Sequence, residues 1–285
     1  MSGNSPFEPP FEIEPLTPKF GAEIRGVNLA EPLSEELVAA IRREAVRWKV
    51  LFFRNQPMAP AQHVALGRCF GDLEVNPDAP AREGYPEIVS LRHHPGNPPT
   101  ENVWHTDAPY KLPPAFAILR CLECPPVGGD TLFADMGAAF AGLPEDVKKK
   151  IEKAHALYDP RLPYVKHLRE KGASEDQIAD YCRRLTPVTR PLVPRHPESG
   201  ERVLLMANRD YMQSIVGVEP EESEALIDFL NAQTLIPEYQ CRFRWAKNSV
   251  VLWDERSTQH YAVADYMPHV RHVERVTIVG ELPAI

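Results

Sequence analysis

The chain has 285 residues, 43% of them hydrophobic and 25% charged, an ordinary globular composition long enough to bury a full core as one large domain or two small ones. A net charge of −8 with scattered Lys and Arg lacks the basic face of a nucleic-acid binder. No run approaches the roughly 18 apolar residues of a membrane span, and five cysteines spread through the chain make no disulfide framework. Met1–Pro10 has neither the charged nor the apolar region of a secretory leader, so a soluble cytoplasmic protein is expected. Its 30 prolines are about twice average usage and predict many turns and no long helices.

In chain order, residues 1–10 read as a flexible tail, and residues 11–285 as a single domain. Phe11–Pro15 and Ala22–Val27 alternate apolar and charged residues, the period of half-buried strands. Ser34 is a candidate N-cap for a helix carrying Leu37, Ile41, Ala45 and Trp48 at helical spacing. Val50–Phe53 reads as a buried strand, and Pro60 opens a second helix through Phe70, ended by Gly71. Residues 76–100 are rich in Pro, Asn, Asp and Gly around one strand at Glu87–Leu91, as a substrate-covering loop would be. Strands are predicted at Phe116–Cys121 and Thr131–Ala134, with Gly128-Gly129 in the turn between them. Residues 136–184 read as a helical insertion. Further strands are expected at Val188–Val193, Val203–Leu205, Cys241–Trp245, Ser249–Trp253, His260–Val263 and Arg275–Val279, with a helix at Glu219–Thr234. Many short strands with helices grouped between and outside them predict a mainly β fold with flanking helices, an antiparallel sandwich or jelly roll.

The chemistry concentrates at Val103-Trp104-His105-Thr106-Asp107. If these residues form a strand, His105 and Asp107 share a face roughly 7 Å apart at Cα. With the distant His260, they make the two-histidine, one-carboxylate set that binds non-haem Fe(II) on one face and leaves the opposite positions open. The competing reading is a pair of satisfied polar residues on a strand. Arg271 and Arg275 follow His260 by 11 and 15 positions. Either guanidinium fork could pair with the far carboxylate of a 2-oxo acid, helped by the Thr131 hydroxyl, or both could be surface charges near Glu274. His196-Pro197-Glu198 reads as an exposed hairpin tip, His93-His94 as loop, and Cys121-x-x-Cys124 as structural cysteines.

The run Trp253-Asp254-Glu255-Arg256-Ser257-Thr258-Gln259-His260-Tyr261 closely resembles the C-terminal signature of taurine dioxygenase and its relatives, the TauD/TfdA-type Fe(II)- and 2-oxoglutarate-dependent dioxygenases. Trp104-His105-Thr106-Asp107, Gly128-Gly129-Asp130-Thr131 and Phe20-Gly21-Ala22-Glu23-Ile24 fall where that family has counterparts, so the resemblance covers nearly the whole chain. It implies a double-stranded β-helix, a cupin-like jelly roll, with His105, Asp107 and His260 as iron ligands. It also implies Thr131 and Arg271 on 2-oxoglutarate, Arg275 on the acidic group of the prime substrate, O2 as co-reactant, and a homodimer or homotetramer. Asn76, Glu101 and Tyr211 fall where taurine enzymes carry histidine, asparagine and phenylalanine, and are read as substrate-facing. The implied activity is hydroxylation of a small anion, taurine or alkylsulfonate-like first, with alkyl sulfates, aryloxy acids and amino acids as alternatives. A non-catalytic jelly-roll metal-binding protein is the alternative of another class.

Overall fold

A computed structural model describes residues 9–77, 79–100, 102–107, 114–170, 172–206 and 209–281; the tail expected over 1–10 lies outside them up to position 8. Strands β1 (Glu12–Pro15) and β2 (Ala22–Arg25) pair antiparallel, with Ile13 opposite Ile24. Helix α1 (Glu35–Trp48) starts where the Ser34 hydroxyl accepts the Leu37 N–H at 3.2 Å, and it buries Ile41, Ala45 and Trp48. It ends at Lys49, whose left-handed φ of 65° is held in place by ion pairs from its amine to Asp135 and Glu201 at 2.5 and 2.8 Å. The fully buried β3 (Val50–Phe53) follows, and then α2 (Pro60–Arg68), which begins at its proline as expected.

Next come β4 (Ala81–Arg82), β5 (Tyr85–His93), β6 (Phe116–Glu123) and β7 (Thr131–Asp135). The 136–184 stretch, expected to be helical, contains α3 (Met136–Ala141), α4 (Glu145–Ile151), the strand β8 (His155–Tyr158), α5 (Arg161–Glu170) and α6 (Glu175–Arg183). In β8 the buried Ala156 and Tyr158 alternate with half-buried neighbours, and the strand lies between β9 (Val188–Pro191) and β10 (Met212–Ile215). Helix α7 (Pro220–Asn231) precedes β11 (Gln240–Phe243), β12 (Val250–Asp254), β13 (Thr258–Ala262) and β14 (Arg271–Ile278). Val203–Leu205, expected as a strand, belongs to none. Its N–H groups divide between two segments: Val203 and Leu205 bond to the carbonyls of Pro194 and Leu192, and Leu204 to that of Met136.

The main sheet runs β1-β2-β3-β12-β6-β14-β5-β4, and a smaller one runs β11-β7-β13. One face of the main sheet, including Leu51, Phe53, Ile118 and Val276, packs against α1 and α2 through Ile41, Ala45, Val64 and Leu66. The other face carries Phe52, Val251 and Trp253 toward Phe133 and Phe243 of the smaller sheet. Alternation along β3 sends Leu51 and Phe53 one way and Phe52 the other, so one short strand feeds two cores. Phe52 stacks on Phe243 at 4.4 Å and meets Phe133 edge-on at 5.9 Å, joining the sheets into a jelly-roll core with flanking helices. No helix among the described residues is long and apolar enough to cross a membrane.

Buried charges inside this frame are paired. Glu274 is wholly buried and accepts from Arg120 Nε at 3.0 Å and from Arg82, so the neighbourhood of Arg271 and Arg275 is not a charged surface. The neighbouring His63 donates Nε2–H to the Ile118 carbonyl at 3.1 Å, and burial, then Arg120, hold its pKa down at about 3. Because the unfolded imidazole titrates near 6.5, the unfolded chain gains a proton first as pH falls, and folded-state stability drops between about 6.5 and 3. Urea unfolding at pH 7.5, 6 and 5 is expected to show a loss of about 2 kcal/mol over that range. His63→Gln is expected to flatten the slope, whatever it does to absolute stability.

Candidate active site

His260 lies at the middle of β13, opposite Phe133 of β7. On its other side, His105 and His260 exchange backbone hydrogen bonds of 3.0 and 2.9 Å, which bring the two imidazole centroids to 4.1 Å. Residues 103–107 are therefore not the expected strand but a segment held by one bridge. Its other polar groups are satisfied elsewhere. The Thr106 hydroxyl reaches the carbonyls of Thr258 (3.1 Å) and Met206 (3.2 Å), while the Asp107 N–H goes to Glu255 Oε2 at 3.2 Å. Donor atoms of His105, Asp107 and His260 all come within 4.8 Å of one another.

The surroundings of the donors suit a cation. His105 Nδ1–H bonds to the Val103 carbonyl at 2.8 Å, which leaves Nε2 as the free lone pair, 3.8 Å from Asp107 Oδ1. Burial, then His105, hold the His260 pKa well below its usual value, so the ring is neutral. Its Nδ1 is buried without a hydrogen-bond partner, and Trp253 and Phe133 wall the ring at 5.2 and 6.2 Å. Burial alone would raise the Asp107 carboxyl, but the charge around it, the Arg275 guanidinium first, outweighs burial and keeps it well below the usual carboxylate range. Arg275 Nη1 donates to Asp107 Oδ2.

Two residues near the donors were not expected there from the sequence. Glu255 also accepts the Trp253 indole N–H at 2.7 Å, and burial, followed by the Asp107 charge, pushes its own carboxyl well above the usual range. His196, read as an exposed hairpin tip, is buried: its Nδ1 accepts the Glu198 and Ser199 N–H groups, and its Nε2–H donates to Asp254 Oδ2 at 2.9 Å. The turn thus folds back against the end of β12 and fixes the Trp253–Arg256 segment.

Beside the donors lies a cavity of about 50 Å³. Leu91, Leu119 and Val273 supply apolar walls, and His105, His260, Thr131, Arg271 and Arg275 supply its polar groups. Thr131 precedes Phe133, the partner of His260, by two residues, which sets it roughly 7 Å along the strand. Arg271, 5% exposed, donates Nε–H to the Gly129 carbonyl at 3.1 Å and Nη2–H to Thr131 Oγ1 at 3.4 Å. Gly129 has a φ of 70°, and a Cβ there would meet Pro125 Cγ at 3.0 Å and Arg271 Cδ at 3.2 Å. The glycine turn is what lets the carbonyl reach the guanidinium. Burial lowers the Arg271 pKa from its ordinary value, though arginine stays charged. A larger open cleft of about 1000 Å³ lies beside Lys49 and Tyr239. It holds no metal-ligating cluster among the described residues, so donor chemistry rather than volume selects the site.

The expected substrate-facing residues are placed unevenly. Arg275 lines the cavity, whereas Asn76 is half-buried in a turn and is not among its lining residues. Tyr211 meets Tyr164 edge-on at 6.3 Å and packs in the same hydrophobic cluster as Trp104, the neighbour of His105. Glu101 lies outside the described residues. Cys121 is buried and Cys124 half-buried, both free thiols.

Two imidazoles and a carboxylate gathered in a jelly roll define a class, the mononuclear non-haem iron oxygenases. Within it, the chain belongs to the taurine catabolism dioxygenase TauD, TfdA family, which it matches over residues 12–277. It is 33% identical to an alpha-ketoglutarate-dependent sulfate ester dioxygenase of Pseudomonas putida over 95% of this chain and 90% of that one. It is equally 33% identical to an alkylsulfatase of Acinetobacter baylyi, over 95% of this chain and 86% of that one. A taurine dioxygenase structure from Burkholderia xenovorans superposes with a TM-score of 0.82 at 33% identity, covering 96% of this chain and 90% of that one.

Proposed function

We propose that the chain is a 2-oxoglutarate-dependent dioxygenase that hydroxylates a small organic anion with a sulfonate or sulfate-ester head group, taurine or an alkylsulfonate first among them. The observation that carries this reading is the convergence of His105, Asp107 and His260 donors within 4.8 Å, next to a cavity containing a buried arginine and threonine. Two imidazoles, that of His260 held neutral by burial, and one ionised carboxylate suit a ferrous ion, and the Nδ1 of His260 has no protein hydrogen-bond partner. Bound Fe(II) supplies the O2-dependent oxidative decarboxylation of 2-oxoglutarate to succinate and CO2, coupled to hydroxylation of a substrate C–H bond.

The protein's part is placement. Val103 sets the His105 tautomer, and Glu255 and Arg275 hold Asp107 from its backbone and carboxylate ends. Thr131 and Arg271 hold the far carboxylate of the co-substrate through a charge-assisted pair. Arg275 shares the cavity-facing side of β14 with Arg271 and receives the acidic head of the prime substrate. The relatives that act on sulfate esters and taurine support an organosulfur anion. Hydroxylation beside sulfur or a sulfate oxygen leaves an unstable carbon that expels sulfite or sulfate.

Succinate release under air is expected to be stimulated by alkylsulfonates or alkyl sulfates above aryloxy acids and amino acids. Stimulation by only the latter two overturns the substrate class. Without succinate from any of them, the oxygenase reading fails.

A further inference from the structure

Thr131 is assigned above to the co-substrate carboxylate, and the inference here rests on that reading. A threonine hydroxyl has one proton to donate and two lone pairs to fill. Both lone pairs are taken by protein N–H groups: the Trp245 indole Nε1–H at 2.9 Å and Arg271 Nη2–H at 3.4 Å. Among the described residues, no acceptor takes the hydroxyl proton, and Thr131 lines the small cavity. The shorter of the two bonds comes from a ring that can do nothing but donate.

We propose that Trp245 is a positioning residue for 2-oxoglutarate: its indole N–H occupies Thr131 Oγ1 and commits the Thr131 hydroxyl proton to the far carboxylate. Free to rotate, the hydroxyl would be able to accept as well as donate and would present a lone pair to an anion part of the time. Locked, it presents only a proton. The same ring lies 5.6 Å from the Arg271 guanidinium carbon, so one side chain backs both groups that meet the carboxylate. Trp245 is itself fixed: it is 6% exposed and sits edge-on to Phe243 at 5.0 Å. Phe243 is the cross-strand partner of Thr131, which brings the indole, two residues further on, to the hydroxyl.

The signature of this arrangement is selectivity for the far carboxylate. With Mn(II)-loaded protein, calorimetric competition compares 2-oxoglutarate with 2-oxopentanoate, which has the same chain but ends in methyl. Trp245→Phe is expected to lower the preference for 2-oxoglutarate roughly tenfold, the weight of one hydrogen bond to a charged group. Thr131→Val should lower it similarly, and the double variant no further than Thr131→Val alone, because the indole acts only through the hydroxyl. A merely structural tryptophan would weaken both ligands alike and add its effect in the double variant. That result, or an unchanged preference in Trp245→Phe, overturns the proposal. Should Trp245→Phe not fold, 3-benzothienylalanine at 245 keeps the ring shape, removes only the N–H and carries the same expectation. A wild-type protein showing no preference between the two acids would instead overturn the assignment of Thr131 and Arg271 on which this rests.

Discussion

Alanine at position 260 is expected to lower succinate formation from 2-oxoglutarate by at least roughly a thousandfold, since loss of a mere supporting partner of a metal ligand costs 10–100-fold. The imidazole leaves a space walled by Trp253 and Phe133, neither of which offers a donor to replace it. Fold loss is not the expected cause. The bridge that joins the two segments is made by the backbones of residues 105 and 260, and alanine keeps both of its bonds. Anaerobic addition of Fe(II) and 2-oxoglutarate should give wild-type protein a weak visible charge-transfer band, absent in His260→Ala, while circular dichroism of the two matches. A variant that folds and retains activity within tenfold of wild type would remove His260 from the metal centre.

The residue types in this centre were legible because few arrangements use them: a His-x-Asp pair, a remote histidine and two arginines spaced four apart. What brings them together was not. The expected strand at 103–107 depended on local alternation, but the segment's hydrogen bonds go to a carboxylate at Glu255 and to a backbone at His260, over 148 and 155 positions away in sequence. Periodicity carries no information about such partners. The same limit explains His196. A His-Pro-Glu turn has the composition of an exposed tip, and only the fold shows that Asp254 receives its ring N–H in the interior. Trp245 and Glu255 fall just past the ends of β11 and β12, Trp245 at the end of a run whose apolar pattern predicts a strand and Glu255 in a charged turn. Their polar atoms, which matter for the site, add nothing to that pattern.

The jelly roll itself was readable from many short strands and two helix starts marked by Ser34 and Pro60, both of which the structure keeps. The misreadings fall where packing overrides composition. Residues 155–158 form a strand because β9 and β10 lie on either side, within a stretch whose flanks are helical. Val203–Leu205 looks like a strand because it is apolar, yet its amides are split between residues 192–194 and Met136. Apolar character fixed its burial, not its partners.

Arg271 sets the second large effect. Replacing it with leucine is expected to weaken 2-oxoglutarate binding by roughly a hundredfold or more, in line with removing one member of a desolvated charge pair. The affinity for 2-oxopentanoate should change far less. Arg271→Lys is the sharper test. Lysine keeps the charge, but a single ammonium cannot hold the Gly129 carbonyl, abut Thr131 and still meet a carboxylate side-on, as the geometry of a guanidinium fork allows. Less than a tenth of wild-type affinity is expected. The lysine should also bring a titration that arginine lacks. Burial already lowers the Arg271 pKa without discharging it, and the same burial acting on an ammonium moves its pKa down toward the working range. As pH rises from 7 to 9, 2-oxoglutarate affinity should therefore stay level in the wild type and fall in Arg271→Lys. Level affinity in both, at wild-type strength, would mean that the guanidinium does not meet the co-substrate and that the far carboxylate is held elsewhere.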